Sequence, residues 1–373
     1  MEKIKVGITG QVGFIGTHLA NYLKLKSAEI ELVPFEDSFF ENEEMFKRFV
    51  LQCDTIVHLA AMNRGDEKEI YSLNVNLIKK LIGSLERNKH KPHVIFASSI
   101  QESQDNAYGR SKKEGRKLLE KWADKTSGRV TSLIIPNVYG CFGRPFYNSV
   151  ISTFCYQLTH NLKPKLKIDA ELPLIYVNDL VKVFYQKIIN SYSEVTVLHV
   201  KATTQQKVSN ILGLLKKYKD LYLKHNVIPE LNSHYEVSLF NVFRSYIEYD
   251  FFPVRLKTRS DKRGSLFEII KSLNGGQTFL STTKPNIIRG NHYHTRKIER
   301  FCVIQGEAVI RLRRIGTQDI IKYKVSGKTP SIVDIPIFHT HNIENTGKTD
   351  LVTIFWSNEL FDPNDPDTSF EEV

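Results

Sequence analysis

Ile4-Lys-Val-Gly-Ile-Thr-Gly10-Gln-Val-Gly13-Phe-Ile-Gly16 decides the fold of the first half of this 373-residue chain. A short apolar run ends in three glycines at intervals of three, and the periodic stretch Phe14–Leu25 follows at once. The run Ile4–Thr9 predicts a buried parallel strand, and the stretch after it an amphipathic helix. Glycines at such a junction permit a tight turn. They also let the backbone approach a pyrophosphate, which the free N–H groups of the helix start would stabilise.

The same alternation continues downstream. Leu32–Phe35, Thr55–Leu59, His93–Ala97 and Thr131–Ile135 are further short apolar runs. Helical patterns near Glu43–Leu51, Ile70–Arg87 and Glu114–Trp122 lie between them. This predicts an α/β doubly wound, Rossmann-like sheet with helices on both faces. A mixed segment follows, with helical stretches at Asn148–His160, Asp179–Asn190 and Val208–Tyr218. After Tyr249-Asp-Phe-Phe-Pro253 the pattern changes to short alternating strands with turn signals such as Asn274-Gly275-Gly276 and Asn345-Thr-Gly347. That predicts an all-β sandwich or barrel. The expected domains are therefore 1–248 and 249–373, with the acidic tail Phe361–Glu372 lying over the barrel or a partner subunit.

Composition narrows the function classes. Lys and Arg number 52 against 41 Asp and Glu, a net charge of +11. The densest basic clusters, Lys216-Lys217-Tyr-Lys219 and Arg311-Leu-Arg313-Arg314, sit in no nucleic-acid module, so solvated lysines and attraction for an anionic substrate are the reading. No apolar run approaches the roughly 20 residues that span a bilayer, and no secretory signal is visible. Cys53, Cys141, Cys155 and Cys302 form no CxxC pair, which suits a reducing cytoplasm. No nucleic-acid partner and no membrane insertion are expected.

Tyr108 and Lys112 stand four apart, so on a helix they share one face. A lysine ammonium beside a phenol favours phenolate and makes proton exchange with a carbonyl oxygen feasible near neutral pH. Ser99, ending the run Val94-Ile-Phe-Ala-Ser-Ser, can donate a second hydrogen bond to that oxygen; Ser98 is its alternative or support. As an isolated pair, Tyr-x-x-x-Lys is far more often a surface pair, and here the serine-ended strand and the glycine turn favour catalysis. These features resemble the extended short-chain dehydrogenase/reductase family, as does Val57-His58-Leu59-Ala60-Ala61. The resemblance implies cofactor contacts at Gly10, Gly13, Phe14, Ile15, Gly16, Leu59, Ala60, Ala61 and Lys112, and substrate contacts at Asn137 and Asn148. Both asparagines also read as a turn residue and a helix cap. Tyr108 follows Ser99 by only nine positions, closer than the family's habit. Glu36, twenty residues after Gly16, reads either as an adenosine-ribose ligand favouring NAD or as an exposed loop residue.

In the second half, His292 and His294 alternate in a predicted strand and point to one face. Glu299, Gly306, His341 and Asn345 follow at intervals that resemble the two-part signature of the cupin fold. His292, His294, Glu299 and His341 are the expected ligands. Three imidazoles and a carboxylate suit zinc, iron, nickel or manganese, with zinc the expected metal. Phe338 stands where cupins commonly carry glycine, and His339 is an additional histidine.

From Ile4 to Val373 the chain resembles bifunctional enzymes of capsular polysaccharide biosynthesis, in which an extended reductase is fused to a cupin. Ser98-Ser-Ile-Gln101, Asn148-Ser-Val-Ile-Ser-Thr-Phe-Cys-Tyr156, Arg289-Gly-Asn-His292, Val333-Asp-Ile-Pro336 and Thr340-His-Asn-Ile-Glu-Asn345 carry the likeness. It implies a UDP-linked 4-keto-6-deoxy-hexosamine substrate and a homodimer or higher homo-oligomer. The implied reactions are C3 epimerisation in the cupin and then NADPH-dependent C4 reduction, giving UDP-2-acetamido-2,6-dideoxy-L-talose on the path to UDP-N-acetyl-L-fucosamine. The chemistry requires that order independently, because the C3 proton is acidic only while C4 is a ketone. His339, His341 and Tyr293 are candidates for the C3 base. The rival readings are a ketoreductase with a structural barrel, and a nicotinamide-binding sensor without turnover.

Overall fold

A computed structural model describes residues 2–190 and 195–373; Met1 and residues 191–194, inside the expected first domain, lie outside the described residues. Contacts divide the chain into two compact units. One comprises Met1–Thr153 and Ile168–Val208, the other Phe154–Lys167 and Ser209–Val373. The helix His234–Arg244 thereby groups with the β-rich half.

The first unit is built on a parallel sheet. Its strands β1 (Ile4–Thr9), β2 (Ile30–Val33), β3 (Thr55–His58), β4 (His93–Ser99) and β5 (Arg129–Ile135) run in the order β2-β1-β3-β4-β5, and Thr196–His199 adds to the far edge. Every neighbouring pair is parallel. Two apolar clusters flank it, one around Ile8, Leu19, Val57 and Leu133, the other around Phe49, Ile56, Leu81, Leu119 and Trp122. Two cores on two faces make the unit doubly wound. The helices α1 (Phe14–Lys24), α2 (Glu43–Gln52), α3 (Glu67–Arg87) and α4 (Ala107–Thr126) carry the buried stripes that form them. Strand order reverses between β1 and β3, and such a reversal opens a binding crevice at the carboxyl ends of the strands.

The strands of the second unit are mostly antiparallel, with one short parallel pair between Val227–Ile228 and Lys271–Ser272. One five-stranded sheet runs Val254–Arg255, Ser331–Ile335, Glu299–Gln305, Leu351–Ser357, Gln277–Thr283. The other runs Ile320–Ser326, Glu307–Arg314, His339–Asn345, Ile288–Tyr293, Ser369–Phe370. Phe301, Val303, Val333 and Leu351 from the first sheet pack with Ile310, Leu312, Val325 and Ile343 from the second. This is a β-rich, cupin-like domain. The acidic tail lies on the barrel, with Ser369–Phe370 pairing with His292–Tyr293. A fully buried ion pair, Arg300 with Asp334 at 2.7 Å, joins adjacent strands, and the Tyr222 hydroxyl donates to the same carboxylate at 2.6 Å.

Candidate functional sites in the two units

In the first unit the glycine turn occupies the strand-order reversal. Gly10 has φ +71°, and a Cβ there would stand 2.9 Å from the Ala60 Cα, so the turn closes directly on the Leu59–Ala61 segment after β3. Gly13 caps α1 without a side-chain hydrogen bond, and no acidic residue lies in the first turn, which includes Phe14, Ile15 and Gly16. Uncapped N–H groups free of negative neighbours fit a dinucleotide pyrophosphate. Glu36 is exposed, three residues beyond the end of β2.

The Ser99–Tyr108 interval is short because a single 3-10 turn, Ile100–Ser103, fills it. Asn106 then caps α4 by accepting from the Gly109 amide at 2.7 Å. A Cβ on Gly109 would meet the Gln101 carbonyl oxygen at 2.0 Å, so only glycine lets the turn pack this closely on the helix. Geometry also separates the two serines. The buried Ser98 hydroxyl donates to Glu102, whereas the Ser99 oxygen accepts from the Gln101 amide at 3.2 Å and keeps its own proton for another acceptor.

Lys112 is buried, donates to the Ala97 carbonyl at 2.9 Å and lies 5.6 Å from the centre of the Tyr108 ring. Burial pushes its ammonium down to about 8, against the opposing pull of Glu102. Burial, with Tyr147 nearby, pushes Tyr108 up to about 12. The lowered tyrosine pKa expected from the lysine is therefore not what this geometry gives. At neutral pH the phenol keeps its proton, as a proton donor requires.

Several supporting residues were not singled out by sequence reasoning. Arg116 grips Glu102 at 2.8 Å and so anchors the serine turn. Asn74 accepts from the Met62 amide and donates to the Met62 carbonyl and Ser111, tying the post-β3 loop to α3 and α4. These pairings join residues 12 to 37 positions apart, beyond the reach of any local sequence pattern. The Asn137 amide donates to the Pro173 carbonyl at 3.2 Å and the Asn148 amide to the Asn63 carbonyl at 3.4 Å, so each spends an N–H within the protein.

In the second unit, His292, His294, Glu299 and His341 converge, with one ligand atom from each lying within 4.8 Å of all the others. His292 and His341 are register partners in one sheet, whereas Glu299 starts a strand of the other. The strand carrying His292 slips register between Gly290 and His292, and such bulges re-aim side chains. His294 lies just beyond that strand. Glu299 Oε2 is 3.1 Å from His294 Nε2 and 3.4 Å from His341 Nε2. All three atoms are buried without a well-formed hydrogen bond. Buried polar atoms are normally partnered, so three convergent orphans fit a metal ion. Burial opposes ionisation of Glu299, but His294 and His341 hold its carboxyl well below the usual range. Burial, with His341 and His294, pushes His292 down to about 4. All four residues line a cavity of about 290 Å³, together with Arg289 and Lys297.

The other candidates for the C3 base divide. His339 accepts from the Tyr249 hydroxyl at 2.7 Å, donates to the Ile337 carbonyl and lines a separate pocket. Neither His339 nor Tyr293 lines the metal-ligand cavity; His341 does. Phe338 has φ +58°, a left-handed backbone that favours glycine. Asn345 staples a turn by donating to the Thr283 and Thr349 carbonyls.

Residues 6–196 match the NAD dependent epimerase/dehydratase family. The chain belongs to that family. Residues 259–369 match the polysaccharide biosynthesis C-terminal domain. A relative from Pseudomonas aeruginosa named UDP-2-acetamido-2,6-beta-L-arabino-hexul-4-ose reductase is 31% identical over 98% of both chains. The capsular polysaccharide assembling protein CapF of Staphylococcus aureus is similar in structure, with 38% identity, TM-score 0.63, and coverage of 99% of this chain and 100% of that one. This member of the epimerase/dehydratase family is thus CapF-like along its whole length. An NADPH complex of RMD from Pseudomonas aeruginosa, 18% identical over 58% of this chain and 84% of its own, shares the fold at TM-score 0.53.

Proposed function

We propose that this chain carries out two successive steps on one UDP-linked 4-keto-6-deoxy-hexosamine. The cupin-like domain, 249–373, epimerises C3 of a UDP-2-acetamido-2,6-dideoxy-4-hexulose. The reductase domain, 1–248, then reduces C4 with NADPH to give UDP-2-acetamido-2,6-dideoxy-L-talose, a precursor of UDP-N-acetyl-L-fucosamine for capsule or O-antigen. The observation that carries the reading is the cavity holding three orphaned ligand atoms in a chain that also brings Tyr108 and Lys112 together. The P. aeruginosa relative, whose name is that of a UDP-hexulose reductase, supports the second step and the substrate class.

In the reduction, Ser99 orients the C4 carbonyl by donating to its oxygen. Tyr108 gives its phenolic proton to that oxygen as the alcohol forms. Lys112, fixed on the Ala97 carbonyl, stabilises the phenolate left behind. Gly10–Gly16 and Leu59–Ala61 would hold a nicotinamide dinucleotide, which would supply the hydride. Asn137 and Asn148 are proposed to contact the sugar nucleotide.

For epimerisation, His292, His294, Glu299 and His341 would hold one divalent metal, zinc in this proposal. A metal there would supply Lewis-acid stabilisation of charge developing on the C4 oxygen. We place the protein in the cytoplasm, in keeping with four buried cysteines that form no disulfide and with no helix among the described residues long and apolar enough to cross a membrane. We propose a homodimer or higher homo-oligomer.

Incubation with the UDP-4-keto sugar tests the whole. Without nicotinamide the C3 epimer should form with C4 still a ketone, and NADPH should convert it to the alcohol. Reduction of the unepimerised sugar alone would replace this reading with that of a simple ketoreductase. A higher kcat/KM for NADH than for NADPH would assign Glu36 to the ribose instead.

A further inference from the structure

The loop from His294 to Ile298 connects the strands that bear His292 and Glu299, and it is irregular. The amides of Thr295, Arg296 and Lys297 follow one another in it, and all three donate to a single residue far away in sequence. Asp367 Oδ1 accepts from the Thr295 amide at 3.0 Å and the Thr295 hydroxyl at 2.6 Å. Asp367 Oδ2 accepts from the Arg296 and Lys297 amides, each at 2.9 Å. Successive N–H groups converging on one carboxylate form an anion nest, and here the anion is the protein's own.

The same residue reaches a metal-ligand candidate through its backbone. The Asp367 carbonyl accepts from His294 Nδ1 at 2.5 Å. A carbonyl can only accept, so Nδ1 carries a proton, and in the neutral ring the lone pair falls at Nε2, the orphaned atom facing Glu299. Metal-binding histidines characteristically donate their other ring N–H to a carbonyl or carboxylate, which fixes ring orientation and tautomer. Asp367 holds φ +41°, an uncommon conformation for a non-glycine residue. Such a conformation persists only where the surroundings over-determine it.

The contacts on either side continue the pattern. The Lys297 ammonium, which lines the metal-ligand cavity, donates to the Pro366 carbonyl. Asp365 pairs with Arg296 at 2.9 Å. Ser369–Phe370 pairs with the His292 strand, and the Glu371 amide donates to the Asn291 carbonyl at 3.0 Å. The tail thus touches the backbone or ring of every element that delivers His292 and His294.

We propose that Asp367 is a positioning residue for the metal centre and that the C-terminal tail, rather than merely covering the barrel, completes it. The carboxylate shapes the His294–Ile298 loop, and the carbonyl sets the His294 tautomer. The proposal rests on the reading of His292, His294, Glu299 and His341 as metal ligands.

The test uses the full-length chain, stripped of metal and titrated with Zn²⁺ against a chromophoric chelator. Thermal unfolding is followed with and without Zn²⁺. Asp367→Ala should bind Zn²⁺ about 10–100-fold more weakly, the range typical for lost outer partners of a metal ligand. Its Zn²⁺-induced rise in Tm should shrink in parallel. Asp367→Asn, which keeps one acceptor oxygen, should fall between; it also decides the question should the alanine variant not fold. Zn²⁺ affinity equal to wild type in a folded variant would overturn the proposal, even if the metal-free Tm had dropped, because that pattern belongs to a purely structural tail. A wild-type chain that takes up no Zn²⁺ would overturn the metal reading itself, and this proposal with it.

Discussion

The Lys112 ammonium donates to the Ala97 carbonyl at 2.9 Å, so the lysine beside Tyr108 is anchored to the strand that ends in Ser99. The helix and strand bearing the three proposed catalytic residues are locked together at that bond. Burial pushes Lys112 down to about 8, with Glu102 pulling the other way. The pH profile of kcat/KM reports the free enzyme. It should therefore fall as pH rises through about 8, where the ammonium loses its proton. Lys112→Met should remove that limb and lower the rate throughout. A wild-type profile flat from pH 7 to 9.5 would count against a charged Lys112 in the mechanism.

Removal of the metal ligands should be visible without any substrate. The orphaned Nε2 and Oε2 atoms of His294, His341 and Glu299 are expected to hold about one metal equivalent per chain. A His292→Ala/His294→Ala double variant should lose it, as measured by elemental analysis. Full metal content in that variant would move the site elsewhere.

The buried pair Arg300–Asp334 predicts a large and asymmetric stability effect. Both side chains are essentially inaccessible, and Asp334 also accepts from Tyr222 at 2.6 Å. Asp334→Ala leaves a buried guanidinium without its counter-charge and should cost about 3–5 kcal/mol of unfolding free energy. Denaturant unfolding of the variant checks it. A loss below about 1 kcal/mol, the size of an exposed ion pair, would show that water reaches Arg300.

His93 predicts an acid sensitivity of the first unit. Its Nε2 meets the Thr131 hydroxyl at 2.9 Å and its Nδ1 is buried without a partner. Burial, reinforced by Arg129, pushes it down to about 4, against an ordinary value near 6.5. The folded pKa is the lower one, so the unfolded chain binds the extra proton. Stability is full above about pH 6.5 and drains away as pH falls towards 4. From pH 6.5 to 5 this one group should cost about 2 kcal/mol. His93→Gln should flatten the dependence by that amount in urea titrations at pH 7 and 5. Parallel losses in variant and wild type would refute it.

Much of this architecture was legible because it is local. Parallel strands buried on both faces read as apolar runs, and β1, β3, β4 and β5 emerge where those runs lie. The second strand runs Ile30–Val33 rather than Leu32–Phe35, because Phe35 belongs to an aromatic cluster with Phe39, Phe40 and Phe49 beyond the strand. Helix α4 spans Ala107–Thr126 rather than Glu114–Trp122, since its first turns carry Gly109, Arg110 and Lys113 and hide the apolar period. The helix His234–Arg244 had a signal in the Ser233/Glu236 capping pair, whose Ser233 oxygen accepts from the Glu236 amide. The four metal-ligand candidates were legible from spacing. Asp367 was not, because it meets His294 and Thr295 across more than 70 residues, as did Glu102 and Arg116 on a smaller scale.

The central claim is that C3 is activated in the barrel before C4 is reduced, and Tyr108→Phe isolates that step. This variant loses the transferable proton and should reduce about 10²–10⁴-fold more slowly. Incubated in D₂O with the UDP-4-keto sugar and no nicotinamide, it should still place deuterium at C3, as followed by NMR, and accumulate the keto epimer. Absence of deuterium at C3 while the wild-type protein continues to reduce C4 would contradict the account.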